Sequence, residues 1–417
     1  MTCATESVAE RLDAPIARYQ RVRATTMRLI ASLEAEDCVV QSMPDVSPTK
    51  WHLAHVTWFF ETFVLAEAAA HYRPFDDRFA FLFNSYYNGV GAMHARPERG
   101  LITRPTLATV IAYRQYVDDA MHTLLETDLS DAIQFRIELG LQHEQQHQEL
   151  LLTDIQHVLS VNPIRPAMRD DLVVAPNATA MPMDWQSIDG GIISTGMHPD
   201  TPDFCYDNET PAHDTLLNDF AIANRPVTNG EYRDFINDGG YTTPSLWLSD
   251  GWATVNEQHW GSPLYWSDDC DQQFTLAGMR DIDWHAPVAY ISFYEADAFA
   301  RWAGARLPIE HEWEHVAANQ PVTGNFADDD VWQPVGNDTS WFGNTWEWTA
   351  SSYGPYPGFK PLDGSLGEYN GKFMCNQMVV RGGSCLSAAD HLRATYRSFF
   401  YPQSRWQCLG LRLAKDR

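Results

Sequence analysis

Two histidines four residues apart, His143 and His147, stand in the run Leu-Gly-Leu-Gln-His-Glu-Gln-Gln-His-Gln-Glu-Leu-Leu-Leu over residues 139–152. On an α-helix that spacing stacks the two imidazoles on one face, about 6 Å apart along the axis. Two stacked imidazoles can grip one metal ion, as those of a His-Glu-x-x-His helix do. Leu, Gln and Glu favour the helix and only Gly140 opposes it. On its own the spacing serves a hydrogen-bonded helix face as well as a metal. A third histidine is available in Ser47-Pro-Thr-Lys-Trp-His-Leu-Ala-His, where His52 and His55 fall in the first turns of a second expected helix. Either could complete a three-nitrogen site or simply pack against Trp58, Phe59, Phe60 and Phe63.

The elements that would position these residues follow from periodicity. Apolar residues from about 7 to 36 recur at helical spacing, with Pro15 marking the start of the main helix and Asp13 near its cap. Ser47 followed by Pro48 predicts an N-cap with proline in the first helical position. Further helices are expected from about 106 to 125 and from about 130 to 159. The four suggest a bundle, and facing helices of a bundle commonly build metal sites. Between the second and third lies a long connection, 72–105, rich in Tyr, Phe, Asn, Gly, Pro and Arg. Long ordered loops are more often functional than short ones. This one carries the pair Tyr86 and Tyr87 and two arginines, Arg96 and Arg99, whose planar forks suit a carboxylate.

At 417 residues the chain exceeds one ordinary core. The expected organisation is a helix-bundle domain over 1–162, a proline-rich linker over 163–184 and an irregular α+β domain over 185–417 with short helices at 228–238, 292–304 and 309–318. The net charge of −26 opposes nucleic acid and anionic membranes as partners. No apolar run approaches the ~20 residues of a membrane span. Seven scattered cysteines without a Cys-x-x-Cys argue against a disulfide framework or a zinc knot. With no basic and apolar leader at the start, the expected setting is reducing and cytoplasmic. Oligomeric state is not legible.

Motifs of the second half then become specific. Asp207-Asn-Glu-Thr-Pro-Ala-His, Val227-Thr-Asn-Gly-Glu-Tyr, Ala300-Arg-Trp-Ala-Gly-Ala-Arg-Leu-Pro-Ile-Glu-His-Glu-Trp-Glu, Gly343-Asn-Thr-Trp-Glu-Trp-Thr, Arg381-Gly-Gly-Ser and Gly410-Leu-Arg-Leu-Ala occur in one order. Together they resemble a formylglycine-generating-enzyme-type domain with a C-type-lectin-like fold. The first half resembles a DinB-like four-helix metal-binding bundle. Joined in this order, the two resemble the sulfoxide synthases of ergothioneine biosynthesis over nearly the whole chain. Phe83-Asn-Ser-Tyr-Tyr-Asn, Gly367-Glu-Tyr-Asn-Gly-Lys-Phe-Met and Tyr396-Arg-Ser-Phe-Phe match the branch that takes free cysteine.

That resemblance implies a non-haem Fe(II) held by His55, His143 and His147, with His52 left to packing or support. Three imidazoles leave coordination positions open, which suits iron, although spacing alone equally permits a catalytic zinc. It further implies a reaction of hercynine, a thiol and O2 that yields a sulfoxide and water, with Tyr86 or Tyr87 as proton donor. Arg96 and Arg99 would hold the thiol substrate's carboxylate, and Gln146 the hercynine imidazole. The trimethylammonium of hercynine needs aromatic faces, for which Phe399, Phe400 and Trp406 are candidates. Ser398 replaces the asparagine usual in the family, which bears on substrate choice. A selenoneine synthase, joining hercynine to a selenosugar, shares the architecture. A non-catalytic C-type-lectin-like binding protein is the reading from another class. A formylglycine-generating activity is not expected, because Ser387 stands where its second cysteine would be.

Overall fold

The structure, a computed structural model, describes residues 15–174, 178–336 and 339–417. It divides into two compact units, 1–151 and 152–417. The first unit is the helical one. Helix α1 (Pro15–Leu29) begins at the proline marked by the sequence, while the expected cap at Asp13 lies outside the described residues. It ends before residue 36 because the chain turns: Ala31 N–H donates to the Arg28 carbonyl, Leu33 N–H to the Ile30 carbonyl, and Asp37 takes the Glu34 N–H on its carboxylate.

Helix α2 (Thr49–Phe60) is buried along its whole length. A helix buried on every face belongs in the middle of a bundle. It continues through a π-helical turn, Glu61–Leu65, at which Glu61 accepts hydrogen bonds from Tyr72 and Tyr113 hydroxyls, each at 2.6 Å. The expected cap is corrected here. Pro48 occupies the N-cap, and its side chain makes no cap hydrogen bond. The Ser47 hydroxyl, just before it, accepts from Arg99 at 2.9 Å. Helix α3 (Leu107–Leu125) is capped by Thr106, whose side chain accepts from the Thr109 N–H. Helix α4 (Asp131–Ser160) carries His143 and His147 and runs on past Leu151, where the first unit ends. Its final turns belong with the second unit because their polar groups bond there: Gln156 donates to the Phe274 carbonyl and accepts from the Tyr290 hydroxyl. The long connection is ordered by one helical turn, Phe79–Phe83, and a 3-10 stretch, Arg96–Leu101.

Gly140, the one residue that opposed the helix, has a packing reason. A Cβ there would stand 2.6 Å from the Phe60 ring and 3.2 Å from that of Phe59. The glycine lets α2 close on α4 one turn before His143.

The described residues of the second unit form two larger sheets and two hairpins. Strands β1 (Trp185–Ile188), β4 (Phe220–Ala223) and β11 (Ala414–Asp416) pair antiparallel, with β4 central. A second sheet runs β10 (Leu409–Leu411), β7 (Trp346–Ser352), β8 (Met378–Arg381), β9 (Ser398–Phe400), with only β10–β7 parallel. Strands β2 (Gly191–Thr195) and β3 (His213–Leu217) form one hairpin, β5 (Gln272–Thr275) and β6 (Gly278–Asp281) the other. The expected short helices are present as Asn229–Asn237, Phe293–Trp302 and Glu310–Ala317. The first two begin with a reciprocal capping box, Thr228/Glu231 and Ser292/Glu295. A further helix, Ser249–Gln258, escaped the sequence reading: Gly251 sits inside it, pressed against Tyr294, and only Gly251 and Val255 of its residues are buried. Cys385 and Cys408 are buried, Cys205 is half-buried and Cys375 is exposed. Among the described residues no helix is long and apolar enough to cross a membrane.

Replacing Gly140 with Ala should cost about 1–2 kcal/mol, because overpacking against Phe60 outweighs the gain of about 1 kcal/mol in helix propensity. Thermal unfolding of Gly140→Ala measures this, and a raised melting temperature would contradict the close packing of α2 on α4.

Candidate metal centre

Helix α2 presents His55 and helix α4 presents His143 and His147. One nitrogen from each lies within 4.8 Å of the others. The ring centroids are 4.9 Å apart for His55 and His143, 4.8 Å for His55 and His147, and 4.6 Å for His143 and His147. His55 and His143 are buried, and His147 is half-buried. Of the two histidines that the sequence left open, the structure puts His55 in the cluster. His52 stands beside it, with its Nδ1 2.8 Å from Nδ1 of His147.

His55 is held at Nδ1 and on both ring faces. Its Nδ1 donates to the Phe83 carbonyl at 2.6 Å, and its Nε2 is buried without a hydrogen-bond partner. A buried polar atom left so needs an explanation, and a lone pair aimed among two other imidazoles is what a metal ion would satisfy. The ring lies between Trp51, four residues earlier (4.5 Å, interplanar 13°), and Trp58, three residues later (5.6 Å, 16°). Arg99 extends that stack, with its guanidinium carbon 3.4 Å from the Trp51 ring centre. Cation–π contact and the hydroxyls of Ser47 and Ser85, both at 2.9 Å, fix the arginine in place.

Burial keeps the three imidazoles neutral. It pushes His143 down to about 3, with Glu144 pulling the other way. Burial likewise holds His55 and His147 well below the ordinary histidine value, with neighbouring histidines and Arg99 adding to it. Neutral imidazole is the form that ligates. Three neutral nitrogens without a carboxylate leave room for substrates on a bound ion, the donor set of an open catalytic site rather than a closed structural one.

Glu144, between the two helix histidines, has a structural task. It is fully buried, accepts from Arg23 Nη1 at 2.9 Å and from the Thr26 hydroxyl at 2.6 Å, and pairs closely with Arg114. Burial raises its pKa, but Arg114 and Arg23 together bring it down to about 2. Gln148, one turn on, donates to the Val22 carbonyl and the Thr26 hydroxyl. Residues 144 and 148 thus grip α1 while 143 and 147, one position back, face α2. The sequence reading passed over Arg23 and Arg114; arginines within apolar helix faces were their only signal.

The other expected site residues separate into groups. Tyr87 is buried against Phe63 (4.9 Å) and Trp58 (5.7 Å), the latter also stacked on His55. Tyr86 is half-buried, and its hydroxyl lies 3.5 Å from that of Tyr87. Asn84, part of the Phe83-Asn-Ser-Tyr-Tyr-Asn motif but given no role from the sequence, shapes this turn: its side chain accepts the Tyr87 N–H and donates to the Tyr87 and Gly91 carbonyls. Gln146 is half-buried on α4, three residues after His143. The two arginines are not brought together as a pair of forks: Arg99 is buried, whereas Arg96 is exposed and donates to the Asp45 carbonyl. In the second unit β9 sends Phe399 to one face and Ser398 with Phe400 to the other, as neighbours on a strand must go. Phe399 is stacked on Tyr353 at 3.9 Å. The Trp406 indole donates to Asp154 at 3.1 Å.

Comparison with known proteins agrees with these two units. Residues 18–151 match the DinB superfamily, and residues 172–341 and 338–417 match the sulfatase-modifying factor enzyme 1-like domain. The architecture is therefore a DinB-type helical bundle with a histidine cluster, followed by a domain of the formylglycine-generating-enzyme type. Hercynine oxygenase of Mycolicibacterium smegmatis is 31% identical, over 94% of this chain and 96% of its own. That of Mycobacterium tuberculosis is 30% identical, over 95% and 97%. Ergothioneine biosynthesis protein 1 of Schizosaccharomyces pombe is 28% identical over 57% of this chain and 32% of its own. The chain belongs to the hercynine oxygenase family, the sulfoxide synthases, and is an oxidoreductase by that membership.

Two measurements test this account of the centre. Glu144→Gln should destabilise the protein by about 3–5 kcal/mol, the cost of breaking a buried pair from one side; a loss below 1 kcal/mol in denaturant unfolding would remove Glu144 as the anchor. Because the imidazoles titrate lower in the folded chain, the unfolded chain binds protons first as the pH falls. The metal-free protein should hold full stability above about pH 6.5 and lose it progressively toward about pH 3. Each imidazole contributes up to about 1.4 kcal/mol per pH unit. Replacing His55, His143 and His147 with Gln should flatten the melting-temperature profile between pH 6.5 and 5, and an unchanged slope would refute the assignment.

Proposed function

We propose that the protein is an iron(II)- and O2-dependent sulfoxide synthase of ergothioneine biosynthesis, joining the imidazole of hercynine to the sulfur of cysteine. The observation that carries this reading is the buried, unpartnered Nε2 of His55, aimed into a cluster with His143 and His147 in a member of this family. Those three residues would hold the iron, which when bound supplies the redox centre at which O2 reacts. The overall change is balanced: hercynine, cysteine and O2 give a sulfoxide and water, with one C–H and one S–H bond lost, a C–S and an S–O bond formed.

The chain's own residues would do the rest. Tyr87, enclosed by Phe63 and Trp58, gives a proton to the oxygen being reduced and is resupplied through the Tyr86 hydroxyl. Arg99, already oriented by two serine hydroxyls and Trp51, takes the carboxylate of cysteine, and Arg96 lends charge from the surface. Gln146 contacts the hercynine imidazole. Phe400 with Ser398, and Trp406, offer the aromatic and polar surface that a trimethylammonium group requires, because such a group donates no hydrogen bond. Phe399, occupied by Tyr353, supports that surface from its other side. The reaction belongs in a reducing, cytoplasmic setting, in keeping with scattered cysteines that form no disulfide among the described residues.

Oxygen uptake by the iron(II)-loaded protein with hercynine, followed by mass spectrometry, tests the reading. A sulfoxide from cysteine at a higher kcat/KM than any product from a selenosugar is expected. Preferential selenium–carbon bond formation would assign the protein to selenoneine synthesis, with Ser398 the first residue to revert. No uptake with either donor would leave a binding protein. His143→Ala should lose iron and activity with the fold retained. Tyr87→Phe should lower kcat by about 10²-fold with little change in KM; full turnover in it and in Tyr86→Phe would remove the proton-donor role.

A further inference from the structure

We propose that His52 is a positioning residue that decides which nitrogen His147 offers to the metal. This rests on the reading of His55, His143 and His147 as ligands. His52 is buried on α2, one turn before His55, and its Nδ1 lies 2.8 Å from Nδ1 of His147. Its ring is held edge-on against Trp51 (5.7 Å, 78°) and tilted against His147 (5.1 Å, 57°).

Two ring nitrogens share a hydrogen bond only when one carries the proton and the other offers a lone pair. If His52 donated, the Nδ1 lone pair of His147 would be used by that bond and the remaining proton would sit on His147 Nε2. Neither nitrogen of His147 would then be available to a metal. The bond must therefore run the other way. His147 Nδ1–H donates to the lone pair on His52 Nδ1, the His52 proton rests on its own Nε2, and His147 Nε2 faces the cluster with a free lone pair. His55 follows the same logic with a different acceptor, since its Nδ1–H is taken by the Phe83 carbonyl at 2.6 Å. An acceptor behind a ligating imidazole fixes its tautomer and ring orientation and raises its basicity. Helix α2 thus supplies one ligand of its own and the acceptor that orients a ligand of α4.

The test uses the full-length protein. In the zinc(II)-loaded protein labelled with 15N-histidine, long-range 1H–15N spectra should show His147 protonated at Nδ1 and His52 at Nε2; the reverse at either ring would overturn the proposal without needing any variant to fold. Cobalt(II) titration supplies the energetic arm. His52→Leu should weaken binding by about 10–100-fold, whereas His52→Asn, whose amide oxygen stands near the lost Nδ1, should stay within about threefold of the parent. Parent-like affinity in His52→Leu, or equal loss in both variants, would refute the role. His143→Ala separates the two levels. If it abolishes cobalt binding while His52→Leu binds like the parent, only the positioning role fails; if His143→Ala itself binds like the parent, the ligand assignment falls and takes this inference with it.

Discussion

The bundle depends on a carboxylate in its middle. Glu144 is fully buried, and it survives there because Arg23 and Arg114 converge on it from two other helices. Arg23 reaches further still, donating to Asp118 on α3 and to the Thr57 hydroxyl on α2, so one guanidinium contacts the three remaining helices of the bundle. Ionic groups in a core contribute little net stability compared with well-packed hydrophobes, but a half-broken set is costly, and they tolerate few alternative arrangements. That is the property a metal site needs. A sliding or rotation of α4 that would scatter His143 and His147 would first have to strand a buried charge.

The site is then a matter of adjacent stripes on one helix. Positions 144 and 148 are bonded to α1, and positions 143 and 147, one residue behind, look toward α2. Gly140 permits the approach, and the stack of Trp51, His55 and Trp58 sets the opposing ring. The loop of residues 72–105 closes the arrangement through three contacts: the Phe83 carbonyl on His55, the Ser85 hydroxyl on Arg99, and the tyrosine pair braced by Asn84. His55 and His147 are thereby each hydrogen-bonded to a group outside the cluster, the Phe83 carbonyl and His52.

In the second unit the recognisable motif letters prove to be scaffold. Arg381 pairs with Glu310 and Glu314, and Arg397 with Glu310; Arg412 and the Trp313 indole both bind Glu347. All are buried. An irregular domain with short strands has few ladder hydrogen bonds to hold it, and buried arginine forks tie its loops to its sheets instead. Motifs there identify the fold because their side chains tie it together. They say less about what the domain binds, since their side chains are already engaged.

Several features were legible from the sequence because their causes are local. Helical periodicity placed the four bundle helices, and the four-residue histidine spacing placed two imidazoles on one face. Motif order was enough to indicate both domain types. The tertiary structure decided the rest, for want of any local signal. The sequence could not choose between His52 and His55, which lie one turn apart on the same helix; only the position of α4 and the carbonyl of Phe83 makes one a candidate ligand and the other its neighbour's acceptor. Nor could it show that Ser47 accepts a hydrogen bond from Arg99, that Arg96 and Arg99 part company, or that Phe399 and Phe400 face opposite ways on their strand. Spacing along a chain determines which side chains share a face. Which faces meet, and which polar atom is left without a partner when they do, is settled only when burial and hydrogen bonding are satisfied for the whole fold at once.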